Sequence, residues 1–189
     1  MKIVLFGDSY TAGRLPGTAT DGALAEALCV PNELALAVSG STAIGWARDQ
    51  ERMQAVCNSK ADIAVGSLGG NDLFAALQDG VVSFSEKIQI VVSLLNVVNT
   101  ISQSIPRVVL MVYPDPFSGI RADAKEAQRQ IEEAFHLLPF PNNVHLLFLS
   151  GFLTKDHFDG SDIHPTKEGY SVMANAVTNI VKPTKGDTP

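Results

Sequence analysis

At 189 residues the chain is sized for one domain and is long enough to bury a substantial core. Hydrophobic residues at 46% and charged residues at 18% exclude a disordered or fibrous protein. The net charge of -6, with no basic run to offset it, argues against a surface that tracks nucleic-acid phosphates.

The first predicted element is a strand over Lys2–Phe6, apolar from Ile3 onward. It is too short for the core of a secretory signal and runs straight into a glycine turn, so the chain as given reads as cytoplasmic. A helix follows at Asp21–Leu28, a strand at Glu33–Val38, a helix at Ala43–Asn58 and a strand at Asp62–Leu68. Next comes a long helix over Ser85–Ser104, closed by Pro106. Its apolar stretch Ile88–Ile101 is interrupted by Gln89, Ser93, Asn96 and Asn99, which makes it a buried helix and not a bilayer span. Strands at Arg107–Tyr113 and Asn143–Leu149 alternate with helices at Ala122–Leu137 and Lys167–Val181.

Continuous apolar strands such as VVLMV call for cover on both faces, which parallel sheets receive from crossover helices. The expected architecture is therefore a three-layer α/β/α sandwich on a five-stranded parallel sheet, with residues 1–182 as one domain and 183–189 as a frayed tail. Cys29 and Cys57, in alanine-rich helical segments without CxxC spacing, read as two buried free thiols.

Each predicted strand ends in a polar or glycine-bearing loop: GDSYTAG, SGSTA, GGND, YPDP and SDIHP in turn. In an open parallel sheet, ligands collect outside the carboxyl ends of the strands, so these loops converge where a substrate would arrive. Nucleophilic acyl transfer needs a hydroxyl, a base for its proton and donors around the oxyanion. Ser9 offers the hydroxyl and His164 the imidazole. The backbone N–H groups of Ser9 and Gly40 and the carboxamide of Asn71 offer the donors. Gly40 lets a substrate oxygen approach the backbone, and the Asn71 amide donates without adding a charge.

GDSY at Gly7–Tyr10, SG at Ser39–Gly40, GGND at Gly69–Asp72 and HPT at His164–Thr166 resemble the four sequence blocks of the SGNH hydrolases, the GDSL esterase and lipase family. They stand in the family's order and span nearly the whole chain. The resemblance implies a flavodoxin-like fold and a serine hydrolase acting on esters or thioesters, with no metal or organic cofactor, and the expected reaction runs through an acyl-enzyme. By position it makes Ser9 the nucleophile, Gly40 and Asn71 the oxyanion donors and His164 the base, while Asp8 and Asp72 organise loops. One departure stands out. The family's acid lies three residues before the histidine, where this chain has Ser161. Asp162 is the first alternative partner for His164 and Asp159 the second; a Ser-His dyad with the Ser161 carbonyl fixing the tautomer is the third.

Other features have plainer readings. His136, His145 and His157 fall in a helix, a strand and a loop with no motif around them. Trp46 reads as helix packing, with a secondary reading as a wall of the acyl pocket. The rival function is a non-catalytic flavodoxin-like module, with Ser9, Tyr10, Thr11 and Gly13 cradling the phosphate of FMN or a similar ligand. It leaves GGND and DIHP unexplained. Five strands and five helices leave few residues for a lid, so short acyl groups are expected.

Overall fold

The computed structural model describes residues 1–77, 82–113, 129, 132–133, 135–159 and 163–182. Four strands form one parallel sheet in the order β1 (Ile3–Gly7), β2 (Ile63–Ser67), β3 (Arg107–Val112), β4 (Val144–Phe148). Its register pairs Ile3 with Ile63, Ala64 with Val108 and Val109 with His145. Every residue of β1 and β2 is buried, so both faces of the sheet are covered there, as their uninterrupted apolar sequence requires.

The helices supply that cover in two packed sets. In one, α3 (Ala43–Arg48), α4 (Gln50–Cys57) and α5 (Gly70–Leu77) gather on the long α6 (Phe84–Ser104). In the other, α1 (Ser9–Ala12) and α2 (Ala23–Leu28) meet, and α2 lies along α7 (Lys167–Val181). Capping residues written in the sequence start several of them. Ser83 and Glu86 form a reciprocal capping box at the head of α6, and Thr166 accepts from Gly169 N at the head of α7.

Three expectations need correction. The predicted strand at Glu33–Val38 does not become a fifth strand. Pro31 precedes a 3-10 turn over Asn32–Leu34, and the segment after it touches β1 through one isolated bridge, Leu5 with Ala35, and two hydrogen bonds, from Leu36 N and Val38 N to the carbonyls of Leu5 and Gly7. Prolonged pairing would ask for β-branched residues, and this stretch supplies Ala-Leu-Ala. The single helix expected over Ala43–Asn58 is two, because Asp49 leaves helical geometry (φ -89, ψ 84) and caps the second by accepting from Arg52 N. The cysteines are free, as read, but not buried: Cys29 is exposed in a left-handed helix cap and Cys57 is half-buried. Of the expected helix at 122–137, residues 122–128, 130, 131 and 134 lie outside the described set, as does the tail 183–189.

One glycine fixes the geometry at the end of β1. Gly7 has φ +112, and a Cβ there would fall 2.1 Å from the carbonyl oxygen of Ser67 on β2. Only glycine lets the two strand ends close up while the chain turns into α1. Gly7→Ala is expected to lower unfolding free energy by at least about 2 kcal/mol, read as a shift in the urea midpoint.

Candidate active site

The segments that follow β1 and β2, with Tyr113 just past β3, meet at the carboxyl edge of the sheet. Asp8 caps α1 by accepting from Tyr10 N at 3.1 Å, which puts Ser9 in the first turn of a short helix. The Ser9 N–H is thereby one of the helix's leading donors, which have no acceptor inside the helix. Ser9 is only 7% exposed, and its Oγ lies 2.9 Å from His164 Nε2 across 155 residues of sequence.

The histidine arrives on a loop closed at its base by a bridge between Phe158 and Pro165 and by Thr166 N donating to the His157 carbonyl at 2.8 Å. Ile163, immediately before it, accepts from the Tyr10 hydroxyl at 2.5 Å. Asp162 and Ser161 lie outside the described residues; Asp159 is described and exposed.

Gly40 sits at φ +81 in a turn in which Ser41 N donates to the Val38 carbonyl. A Cβ on Gly40 would meet nothing within 4 Å, the residue is exposed, and among the described residues nothing accepts from its N–H. Ser41 holds this turn in place. Its hydroxyl donates toward the Gly7 and Val38 carbonyls at 2.8 and 2.7 Å, and its own carbonyl accepts from Asn71 Nδ2 at 2.8 Å. That bond engages one Asn71 amide proton and orients the other. Asp72, next along α5, accepts from Ala43 N and Ile44 N at 2.6 and 3.1 Å, anchoring the head of α3 with a negative charge at its positive end.

Several readings change at this level. Trp46 does not border a pocket: it is wholly buried, edge-on to Phe6, with its indole N–H shared between the Gly7 carbonyl and the Ser41 hydroxyl. The groups invoked for a phosphate cradle are engaged within the protein. Ser9 faces His164, the Tyr10 hydroxyl is on Ile163, Thr11 bonds Ser67 at 2.7 Å, and Gly13 packs against the backbone of Ala23 and Leu24 while capping α1. His136 stacks on Phe148, His157 accepts from Thr154 N, and His145 lies on β4, its pKa held down by burial and then by Arg107.

What the sequence reading left out is the network under Asp8. Ser67 at the end of β2 donates to Asp8 Oδ1 at 2.8 Å, and the Tyr113 hydroxyl, just past β3, binds Oδ2. The Tyr113 side chain was written in the YPDP loop, but nothing local marks it as a partner of Asp8. Burial pushes the Asp8 carboxyl up to about 7, against the lowering effect of its three hydrogen bonds, with a further rise from nearby Asp72. Burial and the adjacent Asp8 likewise drive the Tyr113 phenol well above its ordinary range.

Residues 5–172 match the GDSL-like lipase/acylhydrolase family. The chain belongs to this family, and it is a serine hydrolase of the GDSL type. Solved structures agree on the fold. A mutant acetyl-xylooligosaccharide esterase from Geobacillus stearothermophilus superposes with a TM-score of 0.70 at 16% identity, over 100% of this chain and 97% of that one. The native aryl esterase of M. smegmatis gives 0.67 at 18% identity, covering 95% and 97%. A carbohydrate acetylesterase from Sinorhizobium meliloti gives 0.65 at 16%, also covering 95% and 97%. No curated protein matches the chain. Among the described residues, no helix of this GDSL-family hydrolase is long and apolar enough to cross a membrane.

The raised Asp8 pKa has a definite sign in stability. The unfolded carboxyl gives up its proton near 3.9, whereas the folded one keeps it until about 7. Its contribution is therefore complete below about pH 4 and is lost as pH rises toward 7, by at most about 1.4 kcal/mol per unit. Urea unfolding at pH 4, 5.5 and 7 is expected to show that decline in wild type and a flatter profile in Asp8→Asn.

Proposed function

We propose that this GDSL-family hydrolase is a carboxylic ester hydrolase of short-acyl esters, working through an acyl-enzyme on Ser9. The 2.9 Å hydrogen bond between Ser9 Oγ and His164 Nε2 carries the reading. A serine hydroxyl is a weak nucleophile until a base within bonding reach takes its proton, and this pair has that geometry.

In the proposed cycle Ser9 Oγ attacks the ester carbonyl while His164 Nε2 accepts the hydroxyl proton. The oxyanion rests on the N–H groups of Ser9 and Gly40 and on the Asn71 amide proton not held by Ser41. His164 then protonates the departing alcohol, leaving the acyl group on Ser9. Water, deprotonated by the same imidazole, attacks the acyl-enzyme, and the proton returns to Ser9 as the acid leaves.

Support for the donor assignments is local. The exposed Gly40 N–H has no acceptor among the described residues, and the Asn71 carboxamide is oriented by its bond to Ser41. Asp162, two residues before His164, is proposed as the group that orients the imidazole, with Asp159 and then the Ser161 carbonyl as the alternatives. A preference for small acyl groups follows the expectation from the sequence that the predicted strands and helices leave few residues for a lid. The acetyl esterases from Geobacillus stearothermophilus and Sinorhizobium meliloti, which share the fold, lean the same way.

A series of p-nitrophenyl esters of rising chain length, run on wild type and Ser9→Ala together, tests the whole reading. Turnover is expected to be greatest on the shortest acyl groups and to vanish in Ser9→Ala. In the same assay Asn71→Ala should lose roughly 10² to 10³ in kcat; an undiminished rate would remove it from the oxyanion site.

The acid is tested separately. Asp162→Asn is expected to cost about 10⁴ in kcat and Asp159→Asn little. Retention of most activity by both would exclude a carboxylate partner and leave the dyad.

A further inference from the structure

The family's name spells leucine after the serine, and this chain has Tyr10 there. We infer that Tyr10 is a positioning residue: its hydroxyl fastens the histidine loop to the nucleophile's own helix and so sets the Ser9–His164 distance. This rests on the reading of Ser9 as nucleophile and His164 as base.

The geometry is direct. Tyr10 follows Ser9 in α1, and its hydroxyl donates to the carbonyl of Ile163, the residue before His164, at 2.5 Å. The bond spans 153 residues and joins the two segments whose side chains meet at 2.9 Å. The Ile163 carbonyl shares a rigid peptide plane with the His164 N–H, so holding that oxygen limits the rotation that would swing the imidazole away. The loop is also closed at its base, where Phe158 bridges Pro165 and Thr166 N donates to the His157 carbonyl. The Tyr10 bond acts beyond that base, one residue from the imidazole itself.

Tyr10 is in turn firmly held. Its backbone N–H donates to Asp8 Oδ1, and its buried ring meets the Tyr113 ring edge-on with centroids 5.0 Å apart. Tyr113 binds the other Asp8 oxygen, so ring, backbone and hydroxyl belong to one assembly under the nucleophile. The His164 ring lies tilted beside Tyr10, centroids 6.0 Å apart. A leucine could fill the apolar space but could not donate to a carbonyl. Misplacing a reacting group by about 1 Å costs on the order of 100-fold in rate, so a single tether of this kind acts on kcat.

The test compares wild type, Tyr10→Phe, Tyr10→Leu and Ser9→Ala on p-nitrophenyl acetate, with active sites counted by titration against a p-nitrophenyl phosphonate. Counting sites removes any loss caused by misfolded molecules. Tyr10→Phe keeps the ring and its packing and lacks only the hydroxyl. Expected is a fall of about tenfold in kcat per titrated site with KM held within about twofold, and a comparable fall in Tyr10→Leu. Phosphonylation of Ser9 should slow in parallel, since it also needs the base in place. Wild-type kcat per site in Tyr10→Phe overturns the inference, as does a loss expressed in KM alone. If Ser9→Ala is inert while Tyr10→Phe matches wild type, only the role of Tyr10 falls; if Ser9→Ala turns over, the acyl-enzyme reading falls with it.

Discussion

A single buried carboxyl ties the working edge of this protein together. Asp8 follows β1, caps α1, and takes hydrogen bonds from Ser67 at the end of β2 and Tyr113 just past β3. The first turn of α1, the end of β2 and the residue just past β3 thus each deliver one donor to the same two oxygens. The serine that follows Asp8 inherits its position from all of them. Burying such a group is costly unless its bonding capacity is met, and here both oxygens are engaged. The raised Asp8 pKa measures what remains of that cost.

A second hub stands on the other side of Gly7. Ser41 bonds the Gly7 and Val38 carbonyls, receives the Trp46 indole N–H, and accepts from Asn71 through its own carbonyl. Trp46 can do this because it is buried against Phe6 with its polar edge turned to the loop. Asp72 completes the arrangement by fixing the head of α3. The donors and the hydroxyl proposed for catalysis are thereby held before any substrate arrives. Such preorganisation is what makes electrostatic stabilisation of an oxyanion effective, because nothing need reorient during the reaction.

The two hubs use different chemistry for different tasks. The groups bonded to Ser41 itself are neutral and the loop carrying Gly40 opens outward, which suits an edge that meets substrate. Around Asp8 a charge-capable group lies deep in the sheet edge, shielded from water. Tyr10 spans from the Asp8 hub to the histidine loop, so the part of the site that arrives from the far end of the chain is referred to the same frame as the part that begins it.

Much of the fold was legible in the sequence because its signals are local. Continuous apolar runs bounded by glycine and proline gave four strands within a residue or two. Helical periodicity gave α7 at its observed limits. The segment at 33–38 misled because its apolar content resembles a strand, whereas Pro31 and the alanines favour a turn and only sparse pairing with β1. The short helices α1 and α5 were read as loops, since GDSYTAG and GGND carry turn residues whose capping role depends on partners elsewhere. The chemistry of the strand-end loops, with the resemblance of four blocks to the GDSL family, was enough to nominate Ser9, Gly40, Asn71 and His164. Sequence could not pair Asp8 with Tyr113, Ser41 with Asn71, or Tyr10 with Ile163, because each of those bonds joins residues 30 or more positions apart. Local chemistry decides which residues can cap, turn or react; only the packed sheet edge decides which of them touch.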